Sequence, residues 1–274
     1  MISLKIELIS HKIWHMSKQK PLILVTNDDG VTAPGIRHLI KIMKDFGEVV
    51  VVAPDSPQSG MGHAITVSNN LYCDKISTTN SDVLEYSCSG TPVDCVKIAT
   101  QSILKGKPDL CVSGINHGSN SSINVIYSGT MSAAVEAGTV GIPAVGFSLL
   151  DYAMDANFEP TTAYVREIVS YMLNNELAKG SVLNVNFPKL SAKDIKGIKV
   201  CRQAKARWEE NYDKRQNPQG RDYYWLTGEF INEDAGEDTD EWALEQGYVS
   251  VVPVQFDLTA HKQIEDLKEL NIEH

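Results

Sequence analysis

The chain has 274 residues, a formal net charge of −10, and 42% hydrophobic against 22% charged residues, the make-up of an ordinary globular protein. The acidic balance argues against a nucleic-acid polymer as the main partner, because phosphate backbones are gripped by basic faces, while a small phosphorylated ligand needs only a local positive site. No stretch is long and apolar enough for a membrane, and five cysteines without CxxC spacing suit neither a disulfide framework nor a zinc site, so a reducing cytoplasm is the default location.

The opening MISLKIELISHKIWHMSK breaks its apolar residues with Lys5, Glu7, His11 and Lys12 and so lacks the apolar centre of a signal peptide. Met16 reads as a more natural start, and residues 1–20 are set apart as a leader, disordered or not native. Leu22 to Val25 reads as a buried strand of a parallel sheet, and TNDDG follows at its carboxyl end. Adjacent carboxylates cost free energy unless something positive sits beside them. Asp28 and Asp29 therefore ask for a metal ion, although Asn-Asp-Gly is also turn chemistry and the stretch alone leaves both readings open. Ile36, Leu39, Ile40, Met43 and Phe46 then recur at helical spacing between Pro34 and Gly47. EVVVVAP is a second buried strand, which completes a βαβ unit and predicts a parallel sheet with a right-handed crossover.

The polar loop DSPQSGMGHAIT comes next, and NNLYCDKI and VLEYSCSG are expected as short antiparallel strands at the sheet edge. SGTPVDCVKIATQSIL enters a helix with Pro92 near its first turn, and KPDLCVSGINHGSNSS is a third buried strand ending in a Gly/Asn/Ser loop. A small-residue helix from about Met131 to Gly138 leads to a strand near Ala144 to Ser148. This alternation predicts an α/β fold: a doubly wound, mostly parallel, Rossmann-like sheet over residues 21–190 that carries the active site. Beyond Asp151, TTAYVREIVSYMLNNEL is an amphipathic helix and VLNVNFP a strand. ARWEENYDKRQNPQGRDYYWLTG is a projecting hairpin with turn signals at Asn217-Pro218 and Gly220. Its Trp208, Tyr212, Tyr223, Tyr224 and Trp225 mark either a subunit contact or a staple within the hairpin. FINEDAGEDTDEWALEQG reads as a solvated acidic loop leading into a helix rather than a cation site. YVSVVPVQFDLT is a further strand and HKQIEDLKELNI a closing helix, so residues 191–274 are expected to form a hairpin and a carboxyl-terminal extension used for oligomerisation.

The strand ends collect oxygen donors: Asp28 and Asp29, Ser56 and Ser59, Asn116, His117 and Asn120, with Ser128, Gly129 and Thr130 at a helix mouth. Hard cations such as Mg²⁺ and Mn²⁺ prefer such donors, and Mg²⁺ typically takes one or two carboxylates while leaving room for water and phosphate oxygens. SGTMSAAVEAG supplies the complement, since small residues at a helix start expose backbone N–H groups to an anion. Ser and Thr cap most helices, so this motif gains meaning only beside a cation site. A cation and an anion cradle together read as phosphoryl chemistry, with one aspartate on the metal and its partner orienting water or acting as base. His63 and His117 are candidates for protonating the leaving oxygen.

The assembled motifs resemble the SurE family of stationary-phase survival proteins. ILVTNDDGVTAPGI is similar to that family's opening signature and VVAPDSPQSGMGHAIT to its second loop. SGTPVDCVKIA, PDLCVSGINHGSN and YSGTMSAAVEAGTVGIPAVGFSL continue in order, and LNVNFP, NPQGRDYYWLTG and DTDEWALEQGYVSVVPVQFDLT extend the resemblance over roughly residues 21–268. It implies a metal-dependent 5'/3'-nucleotidase that acts on nucleoside monophosphates, with Asp28 and Asp29 catalytic. By the same resemblance one divalent cation, Mg²⁺ or Mn²⁺, would be held by Asp28, Asp29, Ser59 and Asn116, which selects Ser59 where the residues alone leave Ser56 and Ser59 open. Asn116, Ser128, Gly129 and Thr130 would hold the phosphate, and a homodimer or homotetramer would form through the hairpin and carboxyl-terminal segment. Two rivals are weaker. A haloacid-dehalogenase-type phosphatase separates its two aspartates by one residue, whereas these are contiguous. A non-catalytic nucleotide sensor would need the phosphate cradle without a repelling pair of carboxylates.

Overall fold

Strands that are apolar on both sides build the frame of the protein. In the computed structural model, which describes residues 20–76, 82–175, 177–178 and 180–271, the expected leader lies outside the described residues apart from Lys20. The elements run β1 (Leu22–Thr26), α1 (Pro34–Met43), β2 (Glu48–Pro54), β3 (Cys73–Lys75), β4 (Leu84–Cys88), α2 (Pro92–Ile98), β5 (Leu110–His117), α3 (Gly129–Thr139) and β6 (Ala144–Leu149). They continue with α4 (Thr162–Asn174), β7 (Ser181–Phe187), β8 (Ile198–Val200), β9 (Ala206–Gln216), β10 (Asp222–Asn232), α5 (Asp240–Glu245) and β11 (Val249–Gln255).

One nine-stranded sheet has the order β3-β4-β2-β1-β5-β6-β7-β11-β8. From β4 through β7 every neighbouring pair is parallel. The expected antiparallel edge is present, with β3 running against β4. Along β1 the side chains alternate between two cores: Ile23 and Val25 pack with Ile36, Leu39 and Met43 of α1 and with Val165 and Val169 of α4. Leu24 packs on the other side with Val96 of α2 and Met131, Ala134 and Ala137 of α3. Both faces are covered, so the run is continuously apolar instead of alternating, and each such fully buried side chain contributes on the order of 2 kcal/mol. Because β1 lies between β2 and β5, the connections leave it in opposite directions. The crevice at the carboxyl ends of β1 and β5 is therefore a topological switch point, where open α/β sheets bind ligands.

Two features depart from the pattern expected beyond residue 190. β11 and β8 complete the main sheet, β11 antiparallel to β7 and parallel to β8, while among the described residues β9 and β10 leave as a two-stranded antiparallel ribbon. The closing helix is also absent among the described residues: His261–Gln263 and Lys268–Leu270 are single 3-10 turns. Ile264, Leu267 and Leu270 are 46, 55 and 71% exposed there, and a short helix without a packed face is marginal in water.

The approach of α1 to β5 is set by Gly35, where a Cβ would fall 1.9 Å from the carbonyl oxygen of Ile115. Backbone cannot swing aside as a flexible side chain can. Gly35→Ala is therefore expected to lower stability by about 1–3 kcal/mol or more, read as a fall in thermal midpoint, while Gly106→Ala, with open space around it, leaves the midpoint level or slightly raised.

Candidate active site

The chain leaves β1 through a turn at Gly30, whose φ of +99° suits glycine. The Asn27 amide donates to the Gly30 carbonyl at 2.9 Å, and the Val31 N–H donates to Pro54 O at 2.8 Å, which fastens the turn to the end of β2. The Asn-Asp-Gly stretch is thus a turn, and its two acids find different neighbours while staying close enough for the charge of Asp29 to act on Asp28. Asp28 faces α3, where the Thr130 hydroxyl donates to its Oδ1 at 2.5 Å. Asp29 faces β5, where the backbone N–H of His117 donates to its Oδ2 at 3.2 Å and His117 Nδ1 lies at the same distance.

Asp28 is 3% exposed. Burial, with the charge of Asp29 beside it, pushes its carboxyl up to about 6, against the downward pull of the Thr130 hydrogen bond. Among the described residues neither aspartate is paired with a lysine or arginine, and His117 is the basic side chain in contact with the pair. The start of α3 is fitted to Asp28: a Cβ on Gly129 would meet Asp28 Cβ at 2.8 Å. Glycine there brings the helix amino terminus, with its free N–H groups and partial positive charge, against the carboxylate. Ser128 caps the same helix, its hydroxyl oxygen accepting from the Met131 N–H at 3.0 Å.

Two further loops close on this centre. Ser59 is exposed on the loop after β2, which is brought to the acids by the Gln58 N–H donating to Asp28 O at 2.7 Å and joined to the α3 entrance by the Gly62 N–H on Tyr127 O at 3.1 Å. Ser56 instead donates to Asp55. The far end of the loop is clamped at two points. Thr66 donates its hydroxyl and backbone N–H to Asp94 at 2.6 and 3.1 Å, and Asp94 completes the capping box of α2. His63 Nε2 lies 3.0 Å from Glu136, which also accepts from Lys97 at 2.6 Å. Asn116 stands at the end of β5, 8% exposed, and its amide donates to Gly118 O at 3.0 Å, which leaves its side-chain oxygen as the acceptor turned away from that bond.

The structure thus brings Asp28, Asp29, Asn116, Gly129 and Thr130 to one crevice, with Ser59 on the adjoining loop and Ser128 at the helix cap. Asn120 serves the frame instead: its backbone and side-chain N–H groups donate to Asn186 and Ser148, and its carbonyl accepts from Asn184. The two histidines are both engaged, His63 by Glu136 and His117 by Asp29, and His117 Nε2 is buried without a partner beside the ring of Phe158 at 5.0 Å. Sequence reasoning does not find the Thr130–Asp28 bond or the Glu136 clamp. Each joins residues far apart in the chain, and the single signal for the clamp is a lone acid in the small-residue run SAAVEAG.

Three comparisons bear on this arrangement. The family model described as survival protein SurE matches residues 23–210. The protein of Christiangramia forsetii named 5'-nucleotidase SurE is 70% identical over 258 residues, 94% of this chain and 99% of that one, and the Bacteroides thetaiotaomicron protein of the same name is 46% identical over 253 residues, 92% and 96% of the two chains. The crystal structure of the SurE protein from Aquifex aeolicus superposes with a TM-score of 0.79 at 42% identity, covering 91% of this chain and 99% of that one.

The buried acid has a measurable consequence in protein stripped of divalent cations. An Asp carboxyl raised from 3.8 to about 6 on folding leaves the native state unpenalised below pH 4 and penalised once pH exceeds about 6, by on the order of 3 kcal/mol. Asp28→Asn keeps an acceptor for Thr130 and removes the charge. The variant is expected to melt above the parent at pH 8 in chelator, with the gap closing as pH falls toward 4; a gap independent of pH would show that the carboxylate carries no such penalty.

Proposed function

The chain belongs to the SurE family and is a nucleotidase, and from that premise we propose that its crevice hydrolyses nucleoside 5'-monophosphates to nucleoside and phosphate with a divalent cation, Mg²⁺ or Mn²⁺, held by Asp28, Asp29, Ser59 and Asn116. The observation that carries this reading is the pair of carboxylates, Asp28 buried and Asp29 half-buried, without a lysine or arginine partner among the described residues, facing a helix start where only glycine fits. The donors suit the ion: carboxylate, hydroxyl and amide oxygens match a hard cation. When bound, the cation neutralises phosphate charge and lowers the pKa of water. Asp28, fixed by Thr130, and Asp29, fixed by His117, would both hold the ion, and a carboxylate oxygen left free on one of them would orient the attacking water. The first-turn N–H groups of Ser128, Gly129 and Thr130 would receive the phosphate oxygens, with Asn116 at the opposite wall. His117, with Nδ1 on Asp29 and Nε2 buried, acts in this scheme by orienting Asp29 rather than by protonating the leaving oxygen.

The non-catalytic sensor is not favoured, since the relatives of this chain are named as nucleotidases. The same reading places the protein in a reducing cytoplasm, in keeping with five unpaired cysteines, with no nucleic-acid polymer as partner. No helix among the described residues is long and apolar enough to cross a membrane, and the reading includes no membrane partner. It also takes the exposed Tyr212, Tyr224 and Trp225 of the ribbon as the contact of a homodimer or homotetramer.

Phosphate release from nucleoside 5'-monophosphates is the direct test. Activity is expected with Mg²⁺ or Mn²⁺ and lost in chelator, and Asp28→Asn and Asp29→Asn are each expected to lower kcat/KM by about a hundredfold or more, the size of losing a principal electrostatic contact, while circular dichroism stays native. Undiminished turnover in chelator would overturn the cation mechanism.

A further inference from the structure

A pocket of about 590 Å³ opens beside the crevice between the loop after β2, the 122–126 turn and the base of the ribbon, with Gly60, Asn124, Tyr127, Trp208, Leu226 and Thr227 among its walls. Its size is that of a small-molecule site. Its position follows from the chain: Gly60 succeeds Ser59 and Tyr127 precedes Ser128, so each wall lies one Cα step, about 3.8 Å, from a residue of the proposed cation and phosphate sites. The Gly62 N–H on Tyr127 O at 3.1 Å joins the two walls. A molecule whose phosphate sits at the start of α3 therefore has this pocket next to it.

The lining is aromatic and preset. Tyr127 and Trp208 leave 50 and 40% of their surface exposed, which gives a flat ring two faces to stack on. Trp208 is held in place: its indole N–H donates to Asn124 Oδ1 at 2.8 Å, and its ring meets Phe230 edge-on at 5.5 Å. That bond occupies the Asn124 oxygen and leaves the Asn124 amide as a donor at the pocket wall, where Thr227 adds a hydroxyl and Glu210 an acceptor. The charged group lining the pocket is an acid, so a second phosphate is disfavoured and an uncharged ring with donor and acceptor edges is suited.

We infer that this pocket receives the nucleobase of the substrate, with Tyr127 and Trp208 as its stacking walls. The inference rests on the nucleotidase reading and adds to it the residues that distinguish a nucleotide from a simple sugar phosphate. Stacking holds any base by its face, so the expected specificity is for nucleotides over base-free phosphomonoesters, with modest discrimination among bases. A rival platform stands on the other flank, where Tyr152 lies against Gly118 and its hydroxyl accepts from the Ser119 N–H at 3.3 Å.

The test compares kcat/KM for adenosine 5'-monophosphate with that for ribose 5-phosphate, in saturating divalent cation, for the full chain and for Tyr127→Ala, Trp208→Phe, Trp208→Ala and Tyr152→Ala. Loss of one stacking partner is expected to lower the ratio of the two constants about 5- to 150-fold, with Trp208→Phe keeping most of it. Trp208→Ala also removes the bond to Asn124, so Tyr127→Ala, which breaks no side-chain hydrogen bond among the described residues, carries the decision. An unchanged ratio in Tyr127→Ala, or a fall confined to Tyr152→Ala, would overturn the assignment. Should the parent release phosphate from neither ester, the nucleotidase reading itself fails. Calorimetric binding of adenosine then decides the pocket alone: affinity weakened by Tyr127→Ala supports it, and affinity unchanged by that substitution overturns it.

Discussion

Asp28 is a carboxylate 3% exposed to solvent, beside a second carboxylate, with a hydroxyl rather than a cationic side chain as its closest partner. In a folded protein that combination is expensive, because a buried charge is normally paired or neutralised. Its pKa, driven up to about 6 by burial and by Asp29, expresses that cost. The rest of the crevice is arranged to keep the pair where it is: Thr130 fixes one acid, His117 the other, and Gln58 holds the backbone between the loop and the turn. Stability is conceded at this one place, the kind of local cost that folds carry where a site is built.

The sheet makes that concession possible. β1 is buried from Ile23 to Thr26 between two hydrophobic layers, so its end is a rigid mount, and the reversal of strand order on its two sides opens the crevice over it. Close approach then depends on missing side chains. Gly35 lets α1 reach β5, and Gly129 lets α3 reach Asp28. Neither position has a positive φ; what they require is space.

The part of the chain beyond the core elements is tied into the same region. Asp240, at the start of α5, accepts from the backbone N–H groups of Ser122 and Ala204 at 2.8 and 2.9 Å. Glu241 accepts from the Ser121 hydroxyl at 2.5 Å, and burial raises its carboxyl. With Trp208 on Asn124, these bonds lock the loop before α3 to the base of the ribbon. The acidic stretch Glu233–Asp240 is accordingly only partly the solvated loop its composition suggests. Arg202 holds Asp234 and Asp238, and Asp240 is buried. Net charge along a sequence does not reveal which acids find a partner.

The alternation of apolar strands and amphipathic helices, the polar loops at their carboxyl ends and the doubled aspartate were all legible in the sequence, because each rests on near neighbours: periodicity, turn residues and helix starts. The strand at 249–255 was legible as a strand but not as a member of the main sheet, and the segment after 260 read as a helix because periodicity alone carries no information about whether a covering surface exists. Only the tertiary structure decided that Thr130 meets Asp28 across 102 positions of sequence, that His117 turns to Asp29, and that two aromatic rings border the pocket by Ser59 and Ser128. Such contacts depend on how strands are ordered in space, and the ordering is settled by packing over the whole chain rather than by any local run of residues.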